Sequence, residues 1–190
     1  MPPSRPPPLR RLCQAAALAV LAGALPLVLA AADTGRMEDI ARARHGEAVA
    51  AAVRDWRGLL GDADADELER LARVNTFFNR RLRFDDDSVV WKEADYWATP
   101  LESLARGAGD CEDFTIAKYM SLLELGIPTE QLRLIYVRAQ IGGPHSKRFQ
   151  AHMVLGYYSS PEAEPLILDN LITWPVYTSQ TKLFDSGLPL

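Results

Sequence analysis

Three residues of the chain, Cys111, His152 and Asp169, are of the types that together carry out nucleophilic attack on a carbonyl group. A cysteine attacks as its thiolate, so it needs features that lower its pKa, such as a helix N-terminus and a nearby imidazole. The imidazole in turn needs a carboxylate or an amide to orient it. The order Cys, His, Asp therefore suggests a nucleophile, a proton acceptor and an orienting group. Spacing alone leaves open a purely structural role for His152 and Asp169, because such residues occur in most chains.

The residues around Cys111 predict that its thiol lies at the start of a helix. Gly107 and Gly109 permit a tight turn immediately before it. From Cys111 to Leu125 the apolar residues recur at helical spacing, and a Gly-Ile-Pro sequence ends the pattern. The position at a helix N-terminus by itself favours the thiolate.

Of the three histidines, His152 is the best candidate to act on the thiol. His45 lies in an Ala-rich helical pattern and His145 follows Gly-Gly-Pro in a polar loop, so both are expected at the surface. His152 begins the strand pattern AHMVLGYY, a rigid element from which a ring can be held in place. Asp169 ends the next strand pattern, LILD, and an antiparallel pairing of the two strands can place it beside the histidine.

The rest of the chain supplies the elements that must position these residues. Two long helical patterns, 37–60 and 66–82, and a short helical piece within 101–109 precede the Cys111 helix. Three strand patterns follow it: 132–139, 151–158 and 166–169. Helices followed by an antiparallel sheet predict an α+β domain whose nucleophile helix packs on the sheet. The polar segment FDDDS, at 84–88, is interpreted as a solvated loop, because the alternate ligand spacing and the glycine of an EF-hand loop are absent.

The first 32 residues differ in kind from the remainder. Three arginines precede an apolar run that ends in three alanines, the order expected of a secretory signal peptide. We therefore predict a cleaved signal at 1–32 and a single exported domain at 33–190. A retained membrane anchor is the alternative, since the apolar run is about 18 residues long and can just span a bilayer.

Composition excludes several classes of protein. A chain of 190 residues with 48% hydrophobic and 24% charged residues is neither disordered, collagen-like nor disulfide-stapled. Without residues 1–32 it has 18 Lys and Arg against 25 Asp and Glu, so no nucleic-acid partner is expected. It then also keeps one cysteine, Cys111, which in an oxidising compartment is a reactive thiol, an intermolecular bridge or a buried inert residue.

The block GDCEDFTIAKYMSLLELGIP, followed by LRLIYV, AHMVLGYY and EPLILDNL, resembles the bacterial transglutaminase-like cysteine proteinases, in particular the LapG-type periplasmic proteases. The resemblance covers roughly residues 66–180 and includes DYWATPLE, whereas IGGPHSKRFQ looks longer than usual. It implies a papain-like mechanism on a transglutaminase-like, papain-like cysteine protease fold. In that mechanism Cys111 attacks a peptide carbonyl, His152 accepts and returns the proton, and Asp169 holds the ring. The backbone N–H of Cys111 helps to form the oxyanion hole.

The same resemblance implies a substrate, a regulator and a location. Members of the family cleave a large surface adhesin, which releases it and disperses biofilm. An inner-membrane receptor that responds to cyclic di-GMP sequesters the protease. Both partners require the mature chain to be periplasmic, in agreement with the predicted signal peptide.

Asp110, Glu112 and Asp113 place negative charge beside the nucleophile, which by itself raises the pKa of a thiol. One interpretation is helix capping, because carboxylates in a first turn satisfy free N–H groups and complement the helix dipole. The resemblance implies instead that the three residues bind Ca²⁺, whose charge offsets theirs. Backbone carbonyls or Asp95 would complete the ligand shell.

Other functions stay open from sequence. A transglutaminase or amidase acting on cell-wall or protein cross-links shares the catalytic residues and differs in its acyl acceptor. A non-catalytic, exported, calcium-dependent binding module would keep the same residues without turnover. Trp91, Tyr96 and Trp97 are interpreted as core aromatics, with an apolar pocket for a receptor side chain as the alternative.

Overall fold

The computed structural model describes residues 36–61, 65–141, 145–172 and 174–180. The predicted signal peptide at 1–32 lies outside the described residues, so it and the domain boundary stay predictions. Among the residues that the structure describes, none of the helices combines the length and the apolar composition needed to span a bilayer.

The first half of the described chain is helical. Its helices are α1 (36–45), α2 (Glu47–Leu60), α3 (Glu67–Arg81), α4 (Asp87–Val90), α5 (Pro100–Arg106) and α6 (Cys111–Glu124). The helix predicted over 37–60 is interrupted at Gly46, whose φ of 88° is accessible to glycine at little cost. The helix predicted from 66 is confirmed, with Asp66 as its N-cap: the Asp66 side chain accepts from the Glu69 N–H at 2.8 Å.

The second half forms an antiparallel sheet, as predicted. Its strands are β3 (Leu132–Ile141), β4 (Arg148–Tyr157), β5 (Leu166–Leu168) and β6 (Val176–Tyr177), in that spatial order. β3 and β4 pair along their whole length, with Val137 opposite His152, and β5 continues the sheet with Leu168 opposite Leu155. The α+β prediction is therefore confirmed.

The structure also contains a two-residue parallel strand pair, which the sequence patterns did not predict. It connects the end of α3 with the end of α5. β1 (Arg83–Phe84) pairs with β2 (Ala108–Gly109), immediately before the start of α6. The pair places the start of the FDDDS segment beside Gly109, two residues before Cys111. The interpretation of this segment as a solvated loop is wrong for Asp87, which begins α4 and is only 5% exposed. The reason is tertiary: α4 packs against β2, and the Asp87 carboxylate accepts from the Tyr96 N–H.

The nucleophile helix α6 lies at the centre of the packing. It contacts β4 on one side and α3 on the other, and Leu122 and Ala117 on α6 are fully buried. Two hydrogen bonds fix its position: the Thr115 hydroxyl donates to the Met153 carbonyl at 3.2 Å, and the Trp56 indole N–H donates to Ser121 at 2.8 Å. The helix that carries Cys111 is therefore anchored to both the sheet and α2.

We expect Leu122→Ala to lower the free energy of unfolding by about 2–5 kcal/mol, because it removes a fully buried side chain from the core. Met120→Ala, on the same helix at a position that is 43% exposed, serves as the matched control and should cost no more than about 0.5 kcal/mol. Urea unfolding followed by circular dichroism measures both. Equal losses in the two variants would contradict this packing of α6.

Candidate active site and carboxylate cluster

Cys111 is the first residue of α6, as predicted, and its side chain is buried. The helix starts there because Asp110 is the N-cap: its Oδ1 accepts from the Glu112 N–H at 3.1 Å and from the Asp113 N–H at 3.5 Å. The preceding turn is made by Gly107, which has a φ of 62°. Local sequence therefore places the thiol at the positive end of a helix dipole.

His152 and Asp169 are brought together in the interior of the sheet. The His152 Nε2 lies 2.8 Å from Asp169 Oδ1, and both side chains are about 1% exposed. The pairing of β4 with β5 explains the contact, since Asp169 follows the strand and meets His152 as a diagonal neighbour across it. With Nε2 engaged, Nδ1 is the ring nitrogen left to exchange a proton with the thiol.

The Asp169 segment is held by contacts that the sequence patterns did not predict. Asp169 Oδ1 also accepts from the Leu171 N–H at 3.0 Å. From α3, the Asn79 side-chain amide donates to the carbonyls of Asp169, at 2.7 Å, and Ile172, at 3.0 Å. The available signal was that Asn75 and Asn79, one helical turn apart, interrupt the apolar stripe of this helix.

The thiol of Cys111 lies beside the strand that carries His152. The N–H of Met153, the next residue, faces the sulfur and lowers the pKa of the thiol. In this structure the thiol itself donates to Glu112 Oε2 at 2.7 Å. Burial first, and then this carboxylate, raise the pKa of Cys111 to about 12. Burial and the neighbouring carboxylates therefore favour the neutral thiol, and positive charge nearby would favour the thiolate.

Three carboxylates converge next to Cys111. Asp87, Asp110 and Asp113 each offer an oxygen atom, and these atoms all lie within 4.8 Å of one another. Asp87 and Asp113 are buried. Burial, together with the charges of Glu112, Asp87 and Asp113, raises the pKa of Asp110 to about 7. Such a concentration of like charge out of water calls for a compensating cation.

Backbone and indole donors hold Asp113 in this cluster. Its Oδ1 accepts from the Ala98 N–H at 2.8 Å and its Oδ2 from the Trp91 indole at 3.1 Å. The absence of a side chain at Gly109 is required here, because a Cβ atom would lie 2.5 Å from Asp113 Oδ2. The Asp113 carboxylate and the β2 backbone are therefore in close contact.

Asp87 supplies the evidence that the cluster fits a hard cation. Its Oδ2 accepts from the Tyr96 N–H at 2.6 Å, whereas its buried Oδ1 finds no hydrogen-bond partner among the described residues. A buried carboxylate oxygen without a donor is costly unless a cation occupies its lone pairs. Three converging carboxylates are the type of donor set that Ca²⁺ prefers.

The structure divides the three predicted metal ligands between two clusters. Asp110 and Asp113 lie together with Asp87, while Glu112 lies with Cys111 and Asp110. The second oxygen of Glu112 accepts from the Tyr136 hydroxyl at 3.1 Å. Asp95, considered as an additional ligand, is exposed and belongs to neither cluster. Asp87 is the residue that reasoning from the sequence missed.

The three aromatic residues near the site are less buried than predicted. Trp97 is 51% exposed, so its interpretation as a core aromatic is wrong. Trp91 and Tyr96 are half-buried and pack against each other, with ring centroids 4.7 Å apart. Their polar groups explain their position: the Trp91 indole binds Asp113, and the Tyr96 hydroxyl donates to Glu102 at 2.9 Å.

Comparisons with known proteins agree with this geometry. The family model of the bacterial transglutaminase-like cysteine proteinases matches residues 52–181. Structures of Legionella pneumophila LapG, one EGTA-treated and one calcium-bound, share 32% sequence identity with the chain at a TM-score of 0.68. The alignments cover 80% of this chain and 78% and 80% of those two LapG chains. No curated protein matches the chain.

These matches confirm both the resemblance drawn from the sequence motifs and the LapG-like fold. The family model alone spans more than half of the chain, and it includes Cys111, His152 and Asp169. The chain belongs to the bacterial transglutaminase-like cysteine proteinase family and is a cysteine peptidase.

Proposed function

We propose that the protein is a calcium-dependent periplasmic endopeptidase that cleaves a large surface adhesin and so controls biofilm attachment. The observation that carries the catalytic part is the buried hydrogen bond between His152, on the strand that packs against the Cys111 helix, and Asp169, just beyond β5. The similarity to LapG supports the choice of substrate class. The signal-like N-terminal sequence supports the location.

In the proposed mechanism, Cys111 Sγ attacks the carbonyl carbon of the scissile peptide bond while His152 Nδ1 takes the thiol proton. Asp169 retains the proton on Nε2 and stabilises the imidazolium. The imidazolium then protonates the leaving amine as the C–N bond breaks, which leaves a thioester on Cys111. His152 next takes a proton from water, the resulting hydroxide attacks the thioester, and the thiol is regenerated as the carboxylic product leaves.

Two features of α6 assist this reaction. Cys111 is the first residue of the helix, so its backbone N–H has no intrahelical partner and can donate to the oxyanion. The thiol must also turn from Glu112 toward His152, since its present hydrogen bond keeps the proton on sulfur. The Tyr136 hydroxyl can stay on the other oxygen of Glu112 during this change.

Asp87, Asp110 and Asp113 would hold the calcium ion, and Glu112, predicted as a ligand, offers an oxygen atom within 4.8 Å of Asp110. When bound, calcium would supply positive charge that offsets the carboxylates responsible for raising the pKa of the nucleophile. The calcium-bound form of Legionella LapG supports the choice of metal. The carboxylates themselves fix the start of α6, because Asp110 caps it and Asp113 ties it to the Ala98 backbone.

The surface beside His152 suits an extended polypeptide. A shallow groove of about 360 Å³ runs along β3 and β4 and is lined by Tyr136, Phe149 and the backbone around Ala151. The two aromatic side chains are 54% and 37% exposed. Exposed aromatics flanking a nucleophile provide apolar contacts for substrate side chains.

We propose the inner-membrane, cyclic-di-GMP-responsive receptor as the regulator, on the basis of the family resemblance.

Cys111→Ser should abolish cleavage of an adhesin fragment, and His152→Gln should lower kcat/KM at least about 100-fold, because each removes a group that forms or breaks bonds. His145→Gln, at an exposed position, is the matched control and should cleave as the wild type does. Cleavage is followed by gel electrophoresis, with and without an amine donor. Incorporation of the amine without release of a fragment would favour a transglutaminase and contradict the proposal.

Calcium should raise the melting temperature of the wild type, and Asp87→Asn should remove most of that increase, since it neutralises a buried member of the carboxylate cluster. At 100 times its dissociation constant the ion contributes about 2.7 kcal/mol to stability. Asp86→Asn, next to it but exposed, should keep the full response. Scanning calorimetry in Ca²⁺ and in EGTA makes the comparison. An unchanged wild type in EGTA would rule out calcium binding.

A further inference from the structure

Lys118 is a fully buried lysine for which the proposed mechanism has no use. Its side chain is 1% exposed, although lysines are almost never buried to this degree unless they are paired. Cys111, Thr115 and Lys118 follow each other at helical spacing and therefore share one face of α6. The Thr115 hydroxyl bonds to the Met153 carbonyl, so this face is turned toward β4 and the catalytic histidine.

Among the residues that the structure describes, the Phe114 ring and the Asp169 carboxylate act on the charge of Lys118. Its ammonium nitrogen lies 5.7 Å from the centroid of the Phe114 ring, within the range of a cation–π contact. Burial lowers the pKa of Lys118 to about 7, and the charge of Asp169 acts in the opposite direction. The carboxylate of Asp169 therefore favours the ammonium form of this lysine.

Asp169 shows the complementary feature. Its Oδ1 is occupied, because it bonds to the His152 ring and accepts from the Leu171 N–H. Its Oδ2 is buried and has no hydrogen-bond partner in the part of the chain that the structure describes. A buried carboxylate oxygen without a donor is costly unless positive charge lies near it. Lys118, buried on the helix that packs against the strand of His152, is close enough for its charge and that of Asp169 to interact.

We propose that Lys118 is a positioning residue whose ammonium group is the buried counter-ion of Asp169. In this arrangement the positive charge compensates the Oδ2 side of the carboxylate, and Oδ1 remains an ionised acceptor for His152. Protonation of Asp169 would weaken both its hold on the ring and its stabilisation of the imidazolium. The inference rests on the proposed function, because it assigns Lys118 a part in the reaction of Cys111 and His152.

Lys118→Met tests the pairing, since it keeps the length and apolar stem of the side chain and removes the charge. We expect a folded variant in which the NMR signal of the His152 Nε2 proton is shifted or lost. Alkylation of Cys111 by iodoacetamide at pH 7.5 should slow about tenfold, because the thiolate depends on a stable imidazolium beside it. Lys118→Arg should restore part of both signals. Lys147→Met, at an exposed position, should change neither.

A folded Lys118→Met variant with the wild-type histidine signal and alkylation rate would overturn the proposal. If this variant does not fold, Asp169→Asn provides a second test in a chain that keeps the lysine. Removing the negative charge should lower the pKa of Lys118 further, as followed by NMR of its ammonium group. An unchanged pKa would also overturn the pairing.

These measurements use no peptide substrate, so they separate this inference from the proposed function. Coupled changes at Lys118, Asp169 and His152 in a protein that cleaves no adhesin would refute the function and leave the pairing intact. An active endopeptidase without such coupling would support the function and refute the pairing. In an active enzyme, Lys118→Met should lower kcat and leave KM unchanged, because the lysine does not touch the substrate.

Discussion

The hydrogen bond between His152 and Asp169 depends on more of the structure than any other contact in the site. It joins two side chains without solvent access, one within β4 and one just beyond β5, so it exists only when the two strands are in register. Asn79 reaches from α3 to hold the backbone of Asp169. The position of Asp169 thus depends on contact with α3 as well as on the pairing of the strands. Small displacements of either side chain are therefore destabilising, because a polar group left unpaired in the interior costs free energy.

The second constraint on the site is electrostatic. A thiol nucleophile requires positive charge nearby, yet the chain surrounds Cys111 with Asp110, Glu112 and the buried carboxylates of Asp87 and Asp113. Like charges at this spacing are unfavourable for folding as well as for the thiolate. The same residues nevertheless shape the start of α6 through capping and backbone contacts. The carboxylates therefore stabilise the first turn of α6 through hydrogen bonds and destabilise it through charge repulsion, and a bound cation offsets the repulsion.

Local sequence patterns predicted the main helices and strands, whereas contacts between residues distant in sequence were not predicted. The start of α6 at Cys111 followed from a glycine turn and apolar spacing, and the His152–Asp169 contact followed from two adjacent strand patterns. Asp87 was wrongly predicted in a solvated loop, because its burial accompanies the packing of α4 against β2, a strand of two residues that carries no periodic signal. The exposure of Trp97 and the burial of Lys118 could not be predicted for a similar reason, since neither residue type determines how buried its side chain is.

The register of β3 and β4 has a consequence for how the protein can vary. β3 and β4 pair over ten residues, and the pairing extends four residues from His152 back to Arg148. Side chains alternate between the two faces of a strand, so one residue added or lost inside that stretch would turn the histidine to the opposite face. Length changes between Ile141 and Arg148 fall outside this pairing. We therefore expect them to leave the orientation of His152 unchanged, unlike length changes a few residues away within β4.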